Sequence, residues 1–426
     1  MNPQFSASIR VRIFLLLFFF LLILSSCTKS SVKNDAPLEI EGLTFEKSLP
    51  LKYAKIFRID EYRPAESSDS DKAFASSGYR LITVADSDRY FLIPEKAPLP
   101  KNLPPEITLI QYPVKKTYLC ASSAMALWAR LDSLDAIRFS AIQKKDWYIE
   151  EAARAMEEKK ILYAGKYNAP DFELLLKEKP SLAVESTMIY HSPQIKEKLE
   201  SLGIPVFVDK SSYEPNPLGR MEWIKLYGAM LGKEREAESF FQKKISALTP
   251  ALDSPSASHH DSPSSSHPDA LSSSHSNAPS FPHSDAGISP KIAFFYITPN
   301  GLVVIRGRDD YIVKMVEMAG GTYAFASTRK STSPSVTISM EQFYAQCADA
   351  DILIYNSSID NSVHSLKDLR AKSPLFAEFK AVQGGSVWAT GKYLYQATDS
   401  IGDMILDLKA IISGEERQLA FLERVE

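Results

Sequence analysis

The fold is decided by residues 161–209, which read ILYAGKYNAPDFELLLKEKPSLAVESTMIYHSPQIKEKLESLGIPVFVD. Short apolar runs alternate here with two helical segments, the first beginning after Pro170. The second helix is predicted to end at Gly203, and Pro205 prevents it from resuming. Apolar runs that alternate with amphipathic helices are typical of a parallel sheet covered on both faces. The sequence therefore predicts an α/β fold.

Open α/β sheets hold ligands at the carboxyl ends of their strands. Residues 186–191 and 210–213 directly follow two predicted strands, so we expect them at that edge. Ser122 and Ser123 follow an earlier predicted strand, residues 117–121, and precede a helix. Two interpretations of these serines stay open: the backbone amides at this helix start bind an anionic ligand group, or the serines only cap the helix.

A second segment repeats the central pattern of the first. Residues 169–186 read APDFELLLKEKPSLAVES, and residues 336–358 read VTISMEQFYAQCADADILIYNSS. Each places a glutamate, Glu173 or Glu341, in the first turn of a helix that precedes a buried strand. Together with PLGRMEWIKLYGAMLGK at residues 217–233, these segments resemble the substrate-binding proteins of ABC importers in the iron-siderophore, haem and cobalamin group. In layout the resemblance covers residues 117–414.

The resemblance implies a particular architecture and a particular partner. It implies two lobes, each with a mainly parallel sheet flanked by helices, joined by one long helix, as in class III periplasmic binding proteins. It also implies that Glu173 and Glu341 each pair with arginines of the membrane permease. By position alone, a glutamate in a first helical turn is explained by the helix dipole.

The amino terminus has the layout of a bacterial lipoprotein signal. Two arginines precede the apolar run 13–24, which is short for a membrane span, and Leu24-Ser25-Ser26-Cys27 resembles a lipobox with Cys27 as the lipidation site. The alternative is an uncleaved anchor, and both interpretations place the remainder outside the cytoplasmic membrane. The predicted organisation is a signal peptide at 1–27, a tether at 28–37, an N-terminal α/β lobe at 38–211, a linking helical segment at 212–249, a disordered Ser/His/Pro-rich insert at 250–290 and a C-terminal α/β lobe at 291–426.

Two further regions have a distinctive composition. Residues 53–62 and 79–94 predict a β-hairpin joined by a polar loop at 66–77. The insert contains five of the seven histidines and too few apolar residues to offset its chain entropy. Two interpretations of the insert remain open: its histidines capture metal ions loosely, or it is only a loop enlarged by low-complexity sequence. Outside the insert, Cys120 and Cys347 are expected to be small buried residues, and no zinc-site spacing is present.

The ligand is expected to be a bulky, partly anionic metal chelate. Aromatic faces would cover its flat parts, and cations would pair with its carboxylates or catecholates. Two interpretations of the Trp147-Tyr148 pair are equally favoured: the pair forms a wall of a ligand cleft, or it fixes the next helix to the sheet. The predicted ligand-binding residues are Trp147, Tyr148, Lys166, Tyr167, Thr187, Tyr190, Arg220, Arg306, Arg308, Arg329 and Trp388.

Other classes of function fit less well. A net charge of -3 argues against nucleic-acid binding, and the sequence has neither a phosphate-binding glycine loop nor a GxSxG elbow, so an enzyme is not expected. Outside the insert only His191 and His364 remain, too few for a zinc or manganese pocket, although Glu185 with His191 offers two ligands. The alternatives are a bare transition-metal-ion binding protein of an ABC importer and, less favoured, a chelatase-type enzyme. We expect a monomer without a cofactor, anchored by lipid to the bacterial cell membrane, whose partners are the chelate, the bilayer and the permease.

Overall fold

The computed structural model describes residues 36–65, 78–85, 87–253, 289–325 and 335–426. The predicted signal peptide with Cys27, the polar loop at 66–77, nearly all of the insert and Arg329 lie outside the described residues. The two cysteines within them, Cys120 and Cys347, are buried free thiols, as predicted.

The chain begins with a five-stranded sheet that we call the leading sheet. Its strands are β1 (Leu43–Ser48), β2 (Phe57–Pro64), β3 (Tyr79–Val84), β4 (Asp88–Pro94) and β5 (Thr108–Tyr112), in that spatial order. The antiparallel pairing of β2 with β3 confirms the predicted hairpin. Residues 79–94 were expected as one strand but form two, because the chain turns at Ala85, whose φ is 53°. The sequence did not predict β1 or β5.

The first lobe contains a parallel sheet that begins at Thr117. Its strands are β6 (Thr117–Leu119), β7 (Ile137–Ser140), β8 (Leu162–Tyr163), β11 (Leu182–Ser186) and β12 (Val206–Asp209), with the short hairpin β9 (Gly165–Lys166) and β10 (Ala169–Pro170) beside them. Its helices are α1 (Ser122–Arg130), α2 (Glu150–Glu157), α3 (Phe172–Glu178) and α4 (Pro193–Ser201). The spatial order β12-β11-β6-β7-β8 is parallel throughout, as the apolar runs predicted.

Three helices connect the two lobes. They are α5 (Pro217–Glu222), α6 (Ile224–Leu231) and α7 (Glu234–Asp253). Gly232, at φ 67°, ends α6 as predicted, and the 20-residue α7 is the long helix of this segment. It continues through Asp253, past the predicted boundary at residue 249. Every residue of α5 and α6 is buried, because the leading sheet covers them on one side: Phe57 meets Trp223 edge to face, with ring centroids 5.3 Å apart.

The second lobe has a parallel centre with antiparallel edges. Its strands are β13 (Lys291–Ile297), β14 (Val303–Arg306), β15 (Thr322–Tyr323), β16 (Ser335–Ile338), β17 (Ile352–Tyr355), β18 (Val387–Thr390) and β19 (Leu422–Arg424). Its helices are α8 (Tyr311–Met318), α9 (Met340–Cys347), α10 (Leu366–Lys372), α11 (Lys380–Gln383) and α12 (Ile401–Ser413). The order is β16-β14-β13-β17-β18-β19, with β15 beside β13. The predicted β13–β14 hairpin and the Ser339–Gln342 capping box of α9 are both present.

Candidate functional site

A groove of about 550 Å³ lies at the carboxyl edge of the first-lobe sheet. The loops that follow β6, β7, β8 and β11 supply most of its wall, because parallel strands all end at this edge. One lining residue, Gln396, comes from the second lobe. The groove therefore lies between the lobes. Its lining residues are Cys120, Ala141, Ile142, Gln143, Lys145, Asp146, Tyr163, Lys166, Tyr167, Ser186, Met188 and Gln396.

Cationic and aromatic side chains occupy the rim of the groove. Lys145 and Lys166 are exposed, and neither is paired with a carboxylate within the part of the chain that the structure describes. Tyr163 is exposed and Tyr167 is half-buried beside them. Two unpaired ammonium groups among phenol rings favour a ligand that combines anionic groups with flat or apolar surface.

A buried carboxyl, Glu185, lies beneath the groove and contacts the lining residue Cys120. Cys120 Sγ donates to Glu185 Oε1 at 3.1 Å, and Glu185 Oε2 has no partner among the described residues. Burial raises the pKa of Glu185 to about 7, and burial next to this carboxyl raises the pKa of Cys120 well above its usual value. Glu185 and His191, which were considered as two metal ligands, differ in environment: Glu185 is 0% exposed, whereas His191 is exposed.

The second lobe reaches the groove through residues 394–400, which we call the bridging loop. Gln396 Oε1 accepts from the Tyr148 backbone N–H at 2.9 Å, and Gln396 Nε2 donates to Asp146 O at 2.8 Å. In the same loop, Asp399 forms an ion pair with Arg130 of α1 at 3.1 Å. The loop therefore ties the two lobes together at the groove wall.

Of the predicted ligand residues, Lys166 and Tyr167 line the groove. The side chain of Trp147 does not: it is 6% exposed and its indole N–H donates to Ser140 Oγ at 3.1 Å, so it anchors the end of β7 in the core. Tyr148 is exposed beside the wall and meets Gln396 only through its backbone. Thr187 and Tyr190 follow β11 but are not part of the lining, and Lys210 Nζ lies 5.8 Å from the Tyr190 ring centroid.

The described second-lobe residues of the predicted set, Arg306, Arg308 and Trp388, are not part of the groove lining. Arg306 forms an ion pair with Asp310 at 2.7 Å, which uses the charge that was expected to meet a ligand. Arg308 is exposed on the following turn, and Trp388 is half-buried within β18, opposite Arg424 of β19. These placements correct the predicted second-lobe contribution, which in the described residues comes from Gln396.

Arg220 joins the connecting helices to the second lobe. It is 5% exposed, and its guanidinium carbon lies 3.9 Å from the centroid of the Tyr311 ring. The adjoining cavity measures only about 10 Å³, too small for a chelate. Arg220 therefore stabilises the junction of α5 with α8 rather than lining the groove.

The two predicted docking glutamates occupy equivalent places. Glu173 and Glu341 are both exposed, in the first turns of α3 and α9. Each helix leads into a central parallel strand, β11 or β17, so each first turn lies at the carboxyl edge of its own sheet. A hydrogen bond with Ser339 lowers the pKa of Glu341, which keeps this side chain anionic.

Several lining residues were not among the predicted ligand-binding residues. Ser186 is the last residue of β11 and Met188 lies two residues beyond it, within the 186–191 segment that was expected at this edge but was not named among the ligand-binding residues. Lys145 follows β7 in the same way. Gln396 carries no such signal, because it lies at the end of a short 3-10 helix, Leu394–Gln396, 250 residues from Asp146. Among the described residues, no three His, Cys, Asp or Glu side chains are grouped closely enough to hold a metal ion.

Comparison with known proteins supports the class that this geometry suggests. The model of the periplasmic binding protein family matches residues 128–258. An uncharacterized lipoprotein of Methanocaldococcus jannaschii is 22% identical over 417 residues, covering 92% of this chain and 90% of that protein. A second uncharacterized lipoprotein of the same organism is 22% identical over 337 residues and covers 77% of each chain.

Solved structures show the same fold. A periplasmic heme-binding protein from Pseudomonas aeruginosa aligns with a TM-score of 0.53 at 14% identity, over 73% of this chain and 98% of its own. The molybdate-binding protein of a Haemophilus influenzae ABC transporter aligns with a TM-score of 0.51 at 13% identity, over 71% and 87%. The fold is that of the class III periplasmic binding proteins.

These findings confirm the predicted resemblance to ABC-importer substrate-binding proteins. Within the described ranges, the helices are all too short or too polar to cross a bilayer.

Proposed function

We propose that this chain is the substrate-binding lipoprotein of an ABC importer, which captures a metal chelate between its lobes and delivers it to the membrane permease. The chelate is a ferric siderophore, haem or a cobalamin. The observation that carries the proposal is the groove at the carboxyl edge of the first-lobe sheet, with Gln396 of the second lobe in its wall.

The size and chemistry of the groove support a chelate as cargo. Its volume of about 550 Å³ lies within the range of sites for drug-sized molecules, far above what a bare ion requires. Lys145 and Lys166 supply positive charge, and Tyr163 and Tyr167 supply aromatic surface. Carboxylates or catecholates around a metal centre match both features.

Membrane attachment is proposed through the Cys27 thiol. The sequence before it resembles a lipobox, and two relatives that align over most of the chain are named lipoproteins. We infer that the protein works outside the cytoplasmic membrane, anchored by lipid. We expect no covalent chemistry on its cargo, and we expect the importer's ATPase to supply the energy for transport.

Titration of the purified protein against a panel of ligands tests this function. The panel contains haemin, cyanocobalamin, a ferric tris-catecholate and a ferric hydroxamate, with Zn²⁺, Mn²⁺ and molybdate as comparators. We expect one chelate to raise the melting temperature and quench tyrosine or tryptophan fluorescence. Stabilisation by a comparator ion and by none of the chelates would contradict the proposal.

Charge reversal at the rim identifies the site of binding. The double variant Lys145→Glu, Lys166→Glu is expected to weaken binding of an anionic chelate at least tenfold, because attraction to two unpaired ammonium groups becomes repulsion. The control is Lys144→Glu, since Lys144 is a neighbour outside the groove lining whose Nζ pairs with Glu157 at 3.2 Å. Equal affinity in the double variant and the parent would remove the groove as the site.

A further inference from the structure

One side chain of the second lobe forms two hydrogen bonds to the first lobe. The Gln396 amide accepts from Tyr148 N–H at 2.9 Å and donates to Asp146 O at 2.8 Å, so both of its polar atoms are used. A primary amide suits this pair of backbone groups because it carries an acceptor and a donor side by side. Asp146 also lines the groove, so the contact lies in the groove wall.

The neighbouring residue fixes the bridging loop to its own lobe. Tyr395 Oη accepts from Asn356 Nδ2 at 2.8 Å, and Asn356, which is fully buried, directly follows β17. Tyr395 therefore holds the second lobe while Gln396 holds the first. Moving residues 146–148 away from the second lobe would therefore break the two hydrogen bonds of Gln396.

We propose that Gln396 is a positioning residue that latches residues 146–148 to the second lobe and so controls how readily the groove opens. Two hydrogen bonds between uncharged groups are strong enough to favour the arrangement in which residues 146–148 contact Gln396, and weak enough to break reversibly. The Arg130–Asp399 ion pair joins the same loop to the last residue of α1. The consequence of the Gln396 latch for cargo rests on the proposed function: the latch sets the rates at which a chelate enters and leaves the groove.

The Cys120 thiol reports groove opening without any cargo. It lines the groove and is 8% exposed, whereas Cys347 is fully buried in the second lobe and donates to Phe343 O. Modification of each thiol by a maleimide is followed by mass spectrometry of its own peptide in the full chain. Cys347 thus serves as an internal control for global unfolding.

The variants are Gln396→Ala, which removes both hydrogen bonds, and Gln396→Glu, which removes the donor and sets a carboxylate against Asp146 O. The matched control is Gln383→Ala, since Gln383 is an exposed glutamine of the same lobe whose amide donates to Ala377 O. We expect Gln396→Ala to label at Cys120 about tenfold faster, as loss of two hydrogen bonds predicts, and Gln396→Glu, which loses one bond and gains a repulsion, also to label faster than the parent, with Cys347 and the control unchanged. Unchanged Cys120 labelling, or equal acceleration at Cys347, would overturn the latch.

Stopped-flow mixing with haemin tests the consequence for cargo. In Gln396→Ala we expect the association and dissociation rate constants to rise together, with a small change in their ratio. Unchanged rate constants, despite faster Cys120 labelling, would overturn the role in cargo exchange. A parent protein that does not bind haemin contradicts haem as cargo, whereas the labelling of Cys120 still decides the latch.

Discussion

At the scale of single residues, the most unusual group is the carboxyl of Glu185. It lies at the carboxyl end of β11 under the groove, and among the described residues its only hydrogen-bond donor is the Cys120 thiol. A buried carboxyl without a cationic partner is costly to ionise, which is why its pKa rises from 4.5 to about 7. The carboxyl beneath the groove is therefore largely uncharged below pH 7, whereas the rim carries Lys145 and Lys166 together with Asp146.

This pKa predicts a pH dependence of stability. Between pH 4.5 and 7 the unfolded chain releases the Glu185 proton while the folded chain retains it, so stability falls as pH rises through this window. The loss is about 3 kcal/mol when complete. The side chain of Glu185→Gln stays neutral at every pH. We therefore expect its free energy of unfolding, measured in urea, to decline less between pH 5 and pH 8 than that of the parent, and the two declines to differ by about 3 kcal/mol. An identical decline in both proteins would show that Glu185 ionises normally.

At the scale of elements, the leading sheet is tied to the connecting helices through Glu222. This carboxylate is 0% exposed and accepts the backbone N–H groups of Lys52, Tyr53 and Ala54 at 2.9, 2.7 and 2.9 Å. Lys225 Nζ, at 3.1 Å, provides the compensating charge. Because α5 begins the connection between the lobes, this contact makes the leading sheet and the connecting helices one rigid unit.

Glu222→Gln tests how much this junction contributes. The amide nitrogen would face backbone donors and leave them unsatisfied, and Lys225 would keep only its second partner, the partly exposed Glu238, at 2.9 Å. We expect the free energy of unfolding to fall by about 3 to 5 kcal/mol. Glu236→Gln is the control, since Glu236 is exposed and lies 3.8 Å from Lys233, and it should change stability by less than about 1 kcal/mol. Urea denaturation of both variants provides the comparison, and equal stabilities would remove Glu222 as the tie.

The same scale shows what the sequence was able to predict. The strands β11 and β12 are buried apolar runs bounded by Pro and Gly, so local pattern alone indicated them and their parallel order. The edge strand β1 was missed because five of its six residues are exposed, which leaves no apolar alternation to detect. In the groove, strand-end residues follow from this topology. Gln396 does not, because its position depends on how the lobes meet.

At the scale of the whole molecule, the two lobes present the same feature to the outside. Helices α3 and α9 each run back from the carboxyl edge of a sheet to the start of a central strand, which places Glu173 and Glu341 at corresponding rims. The groove lies at the same edge of the first-lobe sheet as Glu173. A permease that contacts both glutamates would therefore respond to the relative position of the lobes. We propose that a bound chelate and the Gln396 latch set this position.

Reversing both charges, with Glu173→Lys and Glu341→Lys, separates docking from capture. We expect transport of the chelate by cells that carry the permease to fall at least tenfold, because two attractive charge pairs become repulsive, while the affinity of the purified protein for the chelate changes less than twofold. The control reverses Glu197 and Glu416, exposed glutamates of the same two lobes outside these helices, and matches the change in net charge. Transport should respond to salt in the parent and in this control, since exposed charge pairs are screened. Normal transport by the Glu173 and Glu341 variant would show that the permease recognises another surface.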